Sequence, residues 1–131
     1  MKINIISNTM SQESPLSQLT SPDKSIRAQA SADLAARGKS GAEQVLLLLI
    51  HENWVLRYRA CEVIGNAGCS EYAGYLIPLL TDEKDHVRYM AVKSLGKLNC
   101  RSDIEKIRER LSDENPFVVR ITKEVLKAWG A

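Results

Sequence analysis

The sequence is poor in the residues that hold disulfides and metals. Its 131 residues include three cysteines and two histidines. An odd cysteine count in a chain without an export signal argues against a disulfide framework. Neither Cys69 nor Cys100 has a CxxC partner or a histidine at ligand spacing, and His51 and His86 stand alone in turns. Cys61, Cys69 and Cys100 therefore read as structural or incidental thiols rather than as zinc or redox groups. Long apolar runs are also missing. The stretch from Met1 to Asn8 is brief and interrupted by asparagine, too short for the core of a signal peptide or for a bilayer span, so the expected compartment is the cytoplasm. Strand-forming composition is confined to 2–6. No Ser/His/Asp arrangement, Gly-rich phosphate loop or pair of carboxylates in distinct environments is present, and no enzyme is expected.

What the chain does have is a repeat of 30 to 31 residues. An apolar residue and an arginine, then alanine, then a large aliphatic beside a small residue recur as Ile26-Arg27, Ala30, Leu34-Ala35. They return as Leu56-Arg57, Ala60, Ile64-Gly65 and as Val87-Arg88, Ala91, Leu95-Gly96. Leu19, Leu49, Leu80 and Leu111 stand seven residues before Ile26, Leu56, Val87 and Val118. A period of this length denotes stacked supersecondary units. It also places Cys69 and Cys100 at one repeat position, about one helix-packing distance of roughly 8–10 Å apart, too far for a disulfide.

Each period resolves into two helices. The A helices are expected over 41–51, 71–80 and 102–111, where apolar residues keep helical spacing. Ser40-Gly41, Cys69-Ser70 and Arg101-Ser102-Asp103 are expected to cap them. The B helices are expected over 24–37, 54–67, 85–98 and 116–129, each after a polar turn. Pro116 suits the first turn of the last one. Pro78 lies inside an A helix, where its ring crowds the carbonyl of Gly74 and predicts a kink. Residues 1–14 read as a loose tail, and 15–131 as one all-α domain: an α-solenoid of four antiparallel helix pairs, the first A helix truncated to Pro15–Leu19.

These residues resemble HEAT repeats, in particular the short prokaryotic kind grouped with phycobilisome-lyase-type repeats. The pattern is complete in Leu80, Asp82, Val87-Arg88, Ala91 and Leu95-Gly96. The resemblance spans about 15–130 and implies an armadillo-like α-solenoid. It further implies that Arg27, Arg57 and Arg88 bridge turn carboxylates such as Asp82 and turn carbonyls between repeats, a structural ladder rather than a ligand site. In the fourth unit Val119 replaces the arginine, marking a cap. In the second unit Glu52 stands where the turn aspartate belongs.

Charge divides unevenly. The B helices hold eleven Lys and Arg against four acids, a net of +7 in a chain of net +2, so the remainder sums to −5. Discounting the three ladder arginines leaves +4, which favours an acidic or mixed partner surface. Helical phase turns Tyr58 and Glu62, with Trp54 one turn earlier, away from the core in the second unit, and Tyr89 and Lys93 in the third. With Arg59 and Lys97 they form the candidate contact set, because aromatic and arginine anchors make binding hot spots. The alternative is that Trp54 and Tyr89 pack over neighbouring helices with only their edges in water.

The expected function is a non-enzymatic protein-binding scaffold or adaptor acting through the B helices, with no cofactor and no membrane partner. The resemblance adds a second reading, a phycobilin-lyase-like subunit holding a tetrapyrrole. A weakly basic nucleic-acid module is a third, disfavoured by so small a net charge. Phe117, Ile121, Val125 and Trp129 share one line on the last helix, which predicts a homodimer through the carboxyl end.

Overall fold

The computed structural model describes residues 14–131. Helix α1 is Pro15–Gln18, α2 Lys24–Ala36, α3 Lys39–Val45, α4 Trp54–Ala67, α5 Asp85–Lys97, α6 Ile104–Arg108 and α7 Pro116–Ala128. The described residues contain no strand, and the fold is the all-α solenoid that the repeat implies. The expected tail and the β-leaning 2–6 fall outside the described residues, except Ser14, whose hydroxyl accepts from Ser17 N–H and caps α1.

The B helices α2, α4, α5 and α7 follow their expected bounds to within a residue because their turns carry the caps. Asp23, Asn53 and Asn115 each accept the backbone N–H two positions on, and Asp82 accepts from Lys84 just before α5. Consecutive B helices pack on each other. Gly65 makes room for Ser94 of α5: a Cβ at this position would lie 2.6 Å from Ser94 Oγ. That hydroxyl donates to the Cys61 carbonyl at 2.7 Å. Gly96 admits Val125 of α7 in the same way, with 2.7 Å from a Cβ to Cγ2.

The A layer departs from expectation in its winding. Beyond the short α1, only α3 and α6 are α-helical, and they pass into 3₁₀ turns at Leu46–Ile50 and Glu109–Ser112. Ser70–Thr81 is a 3₁₀ helix throughout, so the chain around Pro78 is wound tighter rather than kinked as an α-helix. Pro78 has no N–H to donate and its ring crowds the Gly74 carbonyl in an α-turn, which favours the tighter i→i+3 winding seen here. The capping expected at the A helices is also absent: Ser40 lies inside α3, whose N-cap is Gly38, and neither Cys69 nor Asp103 makes a side-chain cap bond. In α3 the Gly38 carbonyl accepts the first intrahelical bond, from Ala42 N–H, after the tight turn that leaves α2.

The arginine ladder joins the repeats. Arg57 clamps Asp82 with Nε to Oδ2 at 2.8 Å and Nη2 to Oδ1 at 3.0 Å, while Nη1 donates to the carbonyls of His51 and Glu52. Arg88 repeats the arrangement on Asp113 and on the carbonyls of Asp82 and Glu83. Arg27 holds only its own turn, through Ser21 O and Pro22 O. The position that answers to Asp82 is Glu52 there, and no carboxylate among the described residues ion-pairs with Arg27. The paired arginines are buried, and their hydrogen bonds to Asp82 and Asp113 raise their pKa against the opposing effect of burial.

Candidate functional site

The candidate site begins with residues that the B-helix caps set in place. Trp54 opens α4 directly after Asn53, and one turn on Tyr58 meets it edge to face, ring centroids 6.4 Å apart. The stacking offset of one repeat brings α5 alongside, and His86 lies 4.9 Å from the Trp54 ring. His86 is therefore not alone in a turn: it sits in the first turn of α5, with Nδ1 2.8 Å from Asp85 Oδ1. Cations cover the aromatic faces. Lys84 Nζ stands 4.5 Å from the Trp54 centroid, Arg59 5.1 Å from Tyr58, Lys93 5.9 Å from Tyr89 and Arg120 5.0 Å from Phe117.

A groove of about 340 Å³ opens between these helices, lined by Tyr58 of α4, Asp85, His86 and Tyr89 of α5, and Asn115 and Phe117 at the start of α7. Asp85 spans it: its Oδ2 accepts from Asn115 Nδ2. The His86 hydrogen bond, assisted by Asn115, holds the Asp85 carboxyl below the usual carboxylate range. Burial pushes the Tyr58 phenol up, reinforced by the Glu62 charge.

The expected contact set divides in two. Trp54, Tyr58, Tyr89 and Lys93 are half-buried and border one surface, and Lys97 is exposed with its ammonium donating to Asn66 Oδ1 of the previous repeat. Arg59 is buried. Its Nη1 pairs with Glu62 Oε1 at 2.7 Å, and the same oxygen accepts from Ser31 of α2 at 2.6 Å. Arg59 thus braces Glu62 across the α2–α4 contact instead of pointing outward. Asp85, His86, Asn115 and Phe117 were not in the expected contact set: His86 was expected alone in a turn, and Phe117 on the apolar line of the last helix. The signal for them was the repeat offset itself, which sets the first turns of α5 and α7 beside that of α4.

The line drawn through α7 is split by packing. Ile121 and Val125 are buried, the latter against Gly96, and Trp129 is half-buried under Arg101. Phe117 remains 59% exposed and belongs to the groove. Among the described residues no group of three or more His, Cys, Asp and Glu could hold a metal ion, and no helix is long and apolar enough to cross a membrane.

A family model for HEAT repeats matches residues 43–127, the span that holds both complete ladder contacts. The chain belongs to the HEAT-repeat family. None of the curated proteins matches it. HEAT repeats generally serve as scaffolds for protein interaction and are typically non-enzymatic. In HEAT terms the Arg57 and Arg88 contacts are scaffold, and the surface left for partners is what the stack does not consume.

Proposed function

We propose that this HEAT-repeat chain is a non-enzymatic adaptor whose protein partner seats on the B helices. Trp54, Tyr58 and Tyr89 act as anchors, Lys93 and Lys97 supply positive charge, and Arg59 with Glu62 fixes the surface beneath them. The observation that carries this reading is the groove: aromatic side chains from three successive B helices surround one concave space, with the hydrogen-bonded polar groups Asp85, His86 and Asn115 in its wall. The positive balance of the B helices favours a partner with an acidic or mixed surface. A flat π-ligand is less well served. The rings that would stack on a tetrapyrrole or a nucleobase already carry the chain's own cations, Lys84, Arg59 and Lys93.

The test is capture of partners from the native lysate by the wild-type chain and by Tyr58→Ala/Tyr89→Ala, identified by mass spectrometry. A protein held by the wild type and lost from a folded variant supports the proposed face. A partner held equally by both places the binding surface elsewhere.

A further inference from the structure

The A layer carries an apolar surface that the B-face reading does not use. In 3₁₀ winding, side chains three apart eclipse one another. Leu47 and Ile50 therefore form one ridge on the turn Leu46–Ile50, and Tyr72, Tyr75 and Pro78 form a second on the helix Ser70–Thr81. The Tyr72 and Tyr75 rings lie 6.3 Å apart on that second ridge. Between the ridges is a groove of about 470 Å³ walled by Leu46, Leu49, Tyr75, Pro78 and Leu79. Leu47 is 81% exposed and Ile50 82%, so the first ridge stands almost fully in water, and on the second Tyr75 is 60% exposed while Tyr72 is half-buried. A monomer rarely leaves a contiguous apolar patch of this kind uncovered.

We propose that this face pairs two copies of the chain. The ridge and the groove belong to one patch, so a two-fold axis through it seats the Leu47–Ile50 ridge of each copy in the groove of the other, the self-complementary arrangement of an isologous dimer. The rim agrees with this. Lys39 pairs with Glu71 at 3.3 Å, and Glu43 follows Lys39 by one turn, so the border holds both signs. A rim of one sign would repel its own copy and select a foreign partner. The groove has eight lining residues, fewer than the roughly 20–30 a side of a standard interface, which makes the dimer weak and concentration-dependent. None of the residues that line this groove lines the B-helix groove. A dimer built here presents two B faces at once, and two linked copies raise avidity for a repeated partner.

The inference stands apart from the adaptor reading, and its test does not need a partner. Sedimentation equilibrium of the full chain, from low to high micromolar concentration, is compared with Leu47→Lys/Ile50→Lys and with Tyr75→Glu. All three side chains are solvent-exposed, so the variants should keep the wild-type circular dichroism and melting temperature. The expected result is a wild-type mass rising from 14.6 kDa toward twice that value, with both variants staying at the monomer mass. A wild-type chain that remains monomeric at the highest concentration overturns the proposal. So does a wild-type dimer that both folded variants retain.

Discussion

Arg88 and Asp113, 25 positions apart in sequence, meet as a bidentate pair with Nε–Oδ2 at 2.8 Å and Nη2–Oδ1 at 3.1 Å. The same offset joins Arg57 to Asp82. Each arginine also closes its own turn through two carbonyls, so one side chain fixes both the shape of a repeat and its register on the next.

Removing one partner of such a pair leaves a buried charge uncompensated. Arg57→Ala, which leaves the buried Asp82 carboxylate with no cation, should therefore destabilise the fold by about 3–5 kcal/mol. Arg27→Ala removes hydrogen bonds to two carbonyls and no ion pair, and should cost only about 1–2 kcal/mol. Urea unfolding of both variants checks the order, and equal losses would show that the carboxylate contact contributes nothing.

The pair also sets an acid limit. Burial raises the Asp113 pKa, but hydrogen bonds from Arg88, Asn115 N–H and Arg110 outweigh it and hold the carboxyl below its ordinary value. The Asp113 side chain is 1% exposed, so solvent screens these contacts little. A depressed folded-state pKa means that the stabilisation is fully present above the unfolded value of about 3.9 and is lost as pH falls through the folded one. The stability gap between wild type and Asp113→Asn should stay constant from neutral pH to about 5 and close below about 4. Chemical denaturation across that range measures it.

Close contact between B helices makes a third prediction. Gly65→Ala puts a Cβ 2.6 Å from Ser94 Oγ and should cost about 1–3 kcal/mol, as overpacking does. Gly74→Ala meets no atom within 4 Å and should be neutral or stabilising by up to about 1 kcal/mol. Thermal melts of the two variants should move in opposite directions or differ by several degrees.

Thiol reactivity provides a fourth. Cys61 is fully buried, and desolvation pushes its thiol far up, whereas Cys100 is half-exposed. A thiol reagent should modify Cys100 in the native protein and reach Cys61 only on unfolding. Equal native rates would contradict the packing of α4.

The B helices were legible because side-chain signals mark both their start and their buried face. Asp23, Asn53 and Asn115 cap them, and the Arg, Ala and Leu-Gly spacing fixes their phase. The A layer was legible only as apolar spacing, which fits α and 3₁₀ winding alike, so the 3₁₀ course of Ser70–Thr81 and the groove it forms were hidden. In the candidate site, helical phase placed Tyr58 and Tyr89. Arg59 was expected to flank them, but its length lets the guanidinium turn back to Glu62 Oε1, which also accepts from Ser31 in another repeat. Ile121 and Val125 lay on the same line as Phe117, but only the stacking of α7 on α5 decides which of them meets water.

The central claim is that a protein partner seats on the B helices. The most direct measurement is capture from the native lysate by wild type and by Tyr58→Ala/Tyr89→Ala/Lys93→Glu, each first shown to melt cooperatively. The account predicts that a protein enriched on the wild type is reduced at least tenfold on the variant, a loss of about 1.4 kcal/mol or more in binding. Equal enrichment of the same protein on both, or no protein enriched on the wild type, would contradict it.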